Sequence, residues 1–134
     1  LTVTRAPAGA CTVLLAEDDP FVRSYAITCL ESLGYNVVTA VDGREALAHL
    51  HRGGKVDLLF TDLVMPGGIS GWELADQAVK ILPGLKVLMT SGYPLETLAT
   101  RGHKRVSGNI LNKPYRKADL ARRLREVLDQ ADAE

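Results

Sequence analysis

"LLFTDLVMPGG" (58–68) decides the fold. Three apolar residues and Thr61 run straight into a lone carboxylate, Asp62, and three residues further on the chain meets Met65-Pro66-Gly67-Gly68. A strand buried on both faces reads as a continuous apolar run, which is the signature of a parallel sheet covered by helices on both sides. The Pro-Gly-Gly step cannot continue a strand or start a helix interior, so the chain must turn there. A carboxylate at the tip of such a strand sits where open parallel sheets place their chemistry.

Working outward, the same alternation repeats. Strands are expected at 12–16, 36–40, 56–61, 86–90 and 108–111. Helices are expected at 20–34, 43–54, 70–82, 94–102 and 116–130. Helical spacing turns Val22, Ala26, Leu30 and Leu33 inward in the first helix. It does the same for Ala46, Leu47 and Leu50 in the second and for Leu120, Leu124, Val127 and Leu128 in the last. Pro20 suits a helix start, and Gly34 and Pro83-Gly84 suit helix ends. Five strand-then-helix units imply one α/β domain with right-handed crossovers. The polar, Pro- and Gly-containing residues 1–11 are expected to be a linker or fraying terminus, and 12–131 the domain.

Composition narrows the function classes. The chain has 134 residues and zero formal net charge, which offers neither a nucleic-acid surface nor an acidic tail. No apolar run reaches the ~18 residues that span a bilayer, and there is no signal peptide. The domain is therefore expected in the cytoplasm, with no membrane or direct nucleic-acid contact of its own. Cys11 and Cys29 have no metal-ligand spacing and are expected to be two free thiols. The chain begins at Leu and closes with "ADAE", so an excised piece lacking a DNA-binding domain is expected.

The residues just past the strand ends are expected to share one crevice. The first strand delivers Glu17, Asp18 and Asp19, the third Asp62, the fourth Thr90, Ser91 and Gly92, and the fifth Asn112, Lys113 and Pro114. Asp42 after the second strand reads as a helix cap. Clustered carboxylates need a proton or a cation. Hard oxygen donors with room for water suit Mg²⁺ or Mn²⁺. An ionised Asp there can accept a phosphoryl group, with the metal, an amine and a hydroxyl sharing its oxygens.

These residues resemble the receiver domain of two-component response regulators, a CheY-like fold. "VLLAEDD", "LLFTDLVMPGGISGWEL", "VLMTSGY" and "NKPY" occur in that order at the separations of the family, across 12–130. The resemblance implies a doubly wound, flavodoxin-like sheet in strand order 2-1-3-4-5. It implies Asp62 as phosphoacceptor. Asp18 is implied as direct metal ligand, Glu17 as holder of a metal-bound water, and the backbone carbonyl of Val64 as a further metal donor. Asp19 falls outside the site. Ser91 is the implied switch hydroxyl, followed by the small Gly92, with Thr90 turned away. Lys113, held by Pro114, is implied to pair with the phosphoryl group.

The sequence also departs from the family pattern. Ile110 stands where an aromatic switch partner is frequent, so an aromatic swing is not expected there; Tyr93 or Tyr115 is the substitute to consider, with plain packing the simpler reading. The "MPGGISG" turn is one residue longer than the common form. Trp72 is expected to be partly packed, and the basic last helix to carry i,i+4 ion pairs on a solvated face. The implied partner is a histidine kinase or a histidine phosphotransfer domain. A homodimer through helix 94–102, strand 108–111 and the last helix is a further implication. "TSGYP" and "MPGGISGWEL" look similar to receivers of hybrid histidine kinases; a stand-alone regulator is the rival parent. A hydrolytic phosphatase would want a second carboxylate where Val64 stands. A degenerate, non-phosphorylated binding module would not need the full acidic, hydroxyl and lysine set. A flavodoxin-type carrier would need a Gly-rich loop after the first strand.

Overall fold

A computed structural model describes residues 11–65, 68–92 and 110–129. Its strands are β1 (Thr12–Ala16), β2 (Asn36–Ala40), β3 (Leu58–Asp62), β4 (Lys86–Ser91) and β5 (Ile110–Asn112). Its helices are α1 (Pro20–Ser32), α2 (Gly43–His51), α3 (Gly71–Ile81) and α4 (Lys117–Leu128). All strand pairs are parallel, in the order β2-β1-β3-β4-β5. The chain is thus the expected doubly wound α/β sheet. The helix expected at 94–102, along with Tyr93, lies outside the described residues.

Strand alternation sorts the core into two layers. Val13 and Leu15 of β1, with Leu58 and Phe60 of β3, pack with Ala26, Leu30 and Leu33 on the α1 side and Leu120, Leu124 and Val127 of α4. Leu14, Ala16 and Leu59 face the other way, onto Ala46 and Leu50 of α2 and Leu74 and Ala78 of α3. Each fully buried Leu contributes about 1.5–3 kcal/mol, so the two layers together hold the strand ends in fixed register. A smaller cluster of Leu63, Met89 and Ile110, covered by Trp72, closes the sheet beneath β5. Trp72 is half-buried, as expected. Val22, Leu47 and Leu128 are only partly buried, which trims the expected inward faces.

Several boundaries move, each for a local reason. α1 stops at Ser32 rather than 34: Leu33 caps it, and Gly34 takes φ +96°, a left-handed turn open to glycine. α2 stops at His51 rather than 54, with Gly53 at φ +82°. β3 begins at Leu58 rather than 56, because Asp57 turns its carboxylate to accept from Thr12 N–H at 2.8 Å. α4 spans Lys117–Leu128 rather than 116–130. Among its described residues, Arg122–Asp119 and Arg123–Glu126 form ion pairs at i,i+3 spacing. Cys11 and Cys29 are free thiols.

Candidate functional site

The crevice forms at the carboxyl ends of β1, β3, β4 and β5. β3 runs one residue further than expected and ends on Asp62 itself, paired in register with Thr90. Leu63 N–H then donates to the Thr90 carbonyl at 2.9 Å, which ties the exit from β3 to β4. β4 likewise reaches Ser91 rather than stopping at Thr90. Thr90, expected to turn away, is thus the residue the register sets opposite Asp62, and both Thr90 and Ser91 are buried. The Ser91 carbonyl accepts from Lys113 N–H at 2.8 Å, so the lysine's backbone hangs from the end of β4. The Lys113–Pro114 peptide is cis.

Three carboxylates meet here. Glu17, Asp18 and Asp62 each bring an oxygen within 4.8 Å of the others. Lys113 Nζ donates to Asp62 Oδ2 at 3.1 Å and to Glu17 Oε1 at 3.3 Å, bridging the two more buried acids. Glu17 is 3% exposed, and its Oε2 accepts from Asp19 N–H at 3.1 Å. Burial pushes the Glu17 carboxyl up from its ordinary value, against the Asp19 N–H and Lys113, which favour the anion. Burial pushes Asp62 up too, while Lys113 and the Val64 N–H pull it down. For Lys113 burial acts downward, but the two carboxylates outweigh it and the ammonium is held on.

The other sequence candidates fall into place around this core. Asp19 is the N-cap of α1, accepting from Phe21 and Val22 N–H at 2.8 and 3.3 Å, outside the carboxylate cluster. Asp42 caps α2 through Glu45 N–H. Val64 is exposed, and its N–H favours the Asp62 anion. Among the described residues, none comes within 4 Å of where a Cβ on Gly92 would stand. Ile110 lies in the Leu63–Met89 cluster. Tyr115 packs in the opposite layer, its ring 6.1 Å from Phe60 and 5.7 Å from Tyr25, whose hydroxyl donates to the Tyr115 carbonyl at 2.9 Å. Tyr115 is therefore a core residue rather than a substitute for the missing aromatic at Ile110.

Two backbone contacts of the site escape a reading by motif. Gly71 opens α3 with its N–H donated to the Leu63 carbonyl at 2.9 Å, and a Cβ there would press on the Asp62 carbonyl and stand 2.9 Å from Leu63 Cα. Arg23 reaches back from α1 to the carbonyls of Glu17 and Asp18, at 2.8 and 3.4 Å. Gly71 closes the MPGGISG motif, but neither that motif nor an arginine six residues after an acid says which carbonyl each will meet; only the folded chain does.

The sequence profile described as "Response regulator receiver domain" matches residues 13–125. The chain belongs to that family. Among known proteins, this receiver domain is 35% identical to the sensor kinase CckA of Brucella abortus over 92% of its own length, yet spans only 13% of that protein. It is 34% identical to the response regulator receiver protein CpdR of the same organism, covering 87% of this chain and 95% of CpdR. Among solved structures, a response regulator receiver protein from Sinorhizobium medicae superposes with a TM-score of 0.80 at 26% identity, covering 92% of this receiver and 98% of that chain. The receiver domain of the hybrid histidine kinase CckA superposes with a TM-score of 0.73 at 34% identity, covering 88% and 99%. Among the described residues, no helix of the receiver is long and apolar enough to cross a membrane.

Proposed function

We propose that the receiver is a phosphoryl-accepting switch with Asp62 as its acceptor. The observation that carries this reading is Lys113 Nζ bridging Asp62 and Glu17 while Asp18 completes a three-carboxylate cluster. Asp62 stands at a rigid strand end, its side chain mostly buried but still 12% exposed at the mouth of the crevice, where a phosphodonor can reach it. One of its oxygens attacks the phosphorus of a phosphohistidine. The P–N bond breaks, its electron pair and a proton remain with the imidazole, and an acyl phosphate forms on Asp62. Lys113 leaves its pairing with Asp62 for the new phosphoryl oxygens. Ser91, with Gly92 clearing space beside it, donates its hydroxyl to the same group. Attack of water on that phosphorus breaks the acyl P–O bond, releases inorganic phosphate and returns the free carboxylate, so the domain resets itself rather than turning over a substrate.

The carboxylate donor set is all oxygen and fits Mg²⁺ or Mn²⁺, which Asp18, Asp62 and Glu17 would hold, with the Val64 carbonyl as a further donor. A bound divalent ion supplies positive charge to the clustered carboxylates and to the phosphoryl oxygens. Phosphorylation adds close to two negative charges to the crevice. Ser91 ends β4 and Lys113 follows β5, next to Pro114, which gives the charge a route to the face around β5 and α4. The same face is our choice for any homodimer contact.

The partner is a histidine kinase or histidine phosphotransfer domain. Beside Lys113 an apolar cavity of about 630 Å³, lined by Phe21, Val22, Tyr25, Pro114 and Tyr115, adjoins the crevice where such a donor would rest. We assign 12–131 to the receiver and 1–11 to a linker, in a cytoplasmic hybrid kinase or its cytoplasmic part. The similarity to CpdR along nearly its whole length favours the rival parent, a stand-alone regulator. Intact mass spectrometry with Mg²⁺ and acetyl phosphate tests the switch. Wild type should gain one phosphoryl group, roughly 80 Da, and Asp62→Asn or added EDTA should abolish it. A gain that survives Asp62→Asn would refute the acceptor; no gain in wild type would leave a binding module.

A further inference from the structure

Asp18 is exposed, and among the described residues its side chain makes no hydrogen bond or ion pair. Its carboxylate nevertheless lies within 4.8 Å of those of Glu17 and Asp62. With the side chain unheld, the backbone of the β1–α1 loop must aim it. That loop is fastened at both ends: Glu17 N–H donates to the Ala40 carbonyl at 3.1 Å, and Asp19 caps α1. Between those points the peptide carbonyls of Glu17 and Asp18 are held by one group, the Arg23 Nη1, at 2.8 and 3.4 Å. Arg23 is half-buried on the first turn of α1, and its own N–H donates to the Asp19 carbonyl at 2.8 Å.

We infer that Arg23 is a positioning residue: by holding the Glu17 and Asp18 carbonyls it turns their two carboxylates into the crevice toward Asp62. The inference rests on the reading of the crevice as a divalent-cation and phosphoryl site. Two peptide carbonyls beside three carboxylates would add partial negative charge to an already repulsive cluster. The guanidinium draws both away, and fixing the two peptide planes fixes the Cα–Cβ direction of Asp18. Charge and position then make opposite predictions. Removing a positive group near a cation site should tighten cation binding if charge alone mattered. Removing the anchor of an otherwise unheld ligand should weaken it.

Mn²⁺ binding to the 134-residue chain, read from the paramagnetic resonance of free Mn²⁺, separates the two. Arg23→Met keeps the aliphatic stem and deletes donor and charge. It should weaken Mn²⁺ binding about tenfold, the usual order for a group that orients a metal ligand. Arg23→Lys, whose ammonium can donate to the Glu17 carbonyl, should recover most of that. Urea unfolding of each variant checks that it is folded at the assay temperature; if Arg23→Met is not, Arg23→Gln carries the same expectation. Mn²⁺ affinity equal to or tighter than wild type in the folded Met or Gln variant overturns the inference while the cation site stands. Wild type that takes up no Mn²⁺ overturns both.

Discussion

Lys113 offers the sharpest test of the crevice, because its worth can be worked from distances. At an effective dielectric of about 20, unit charges 3.1 and 3.3 Å apart attract by roughly 5 kcal/mol each. Glu17 and Asp62, with oxygens within 4.8 Å, repel by roughly 3.5 kcal/mol or more. Desolvation of the ammonium offsets much of the attraction, so the gross figure is not the measured one. Truncation to Met leaves two buried carboxylates facing each other without a cation. Breaking a buried pair costs about 3–5 kcal/mol, and the 23% exposure of the lysine side chain points to the lower end. We expect Lys113→Met to lose about 3 kcal/mol in urea unfolding at pH 7.5 with EDTA. In the Asp62→Asn background the same substitution should lose about 1 kcal/mol, a coupling of about 2 kcal/mol. Excess Mg²⁺ should return part of the single-mutant loss by binding the folded state. Losses that add to within about 0.5 kcal/mol would show that the pair does not act as one unit and would refute the reasoning.

Further expectations concern pH, the turn into α3 and the hydroxyl. Without metal, Glu17 and Asp62 hold their protons above their ordinary values of 4.5 and 3.8 chiefly because they are buried. The folded state therefore binds protons more tightly than the unfolded one. The stability these groups contribute is full below those ordinary values and is lost as pH rises through the folded ones. Asp62→Asn should accordingly gain stability relative to wild type as pH is raised from about 4 to neutrality in EDTA; a constant gap across denaturation curves would contradict this. Lys113 adds stability that is lost only above its ordinary 10.5, as pH rises through its raised folded value. Gly71→Ala should cost about 1–3 kcal/mol, as over-packing does, and slow labelling of Asp62, because its Cβ meets the Asp62 carbonyl; a wild-type melting temperature would speak against that contact. Ser91→Ala should slow acetyl phosphate labelling in the mass assay while leaving Mn²⁺ affinity within about twofold; an equal loss in both would make Ser91 part of the cation site instead.

The order of elements and the composition of the crevice were both legible in one dimension. Apolar runs such as 58–61 and helical faces such as Leu120–Leu124–Val127 follow from local periodicity, because burial repeats with the geometry of each element. The acids and the lysine were legible because an open parallel sheet collects its strand ends along one edge, so that residues 17, 62 and 113 converge once the strands are placed. The caps Asp19 and Asp42 were equally local, since a cap satisfies amides two or three residues away.

What the linear reading could not reach depends on contacts between segments. Whether β3 stops at Thr61 or Asp62 is set by its pairing with β4, which supplies Thr90 as the partner of Asp62. Tyr115 became core rather than switch because Phe60 and Tyr25 stand against it. Lys113 could have bridged any two of the acids; the burial of Glu17 and the hydrogen bond from the lysine's own backbone to Ser91 selected Glu17 and Asp62. Arg23 was silent in the sequence, and the contact made by Gly71, though the MPGGISG motif contains it, could not be read there, because what each touches, a backbone carbonyl, is a group every residue carries. Side-chain chemistry is written along the chain, but the direction in which a backbone carbonyl points is known only when the elements have packed.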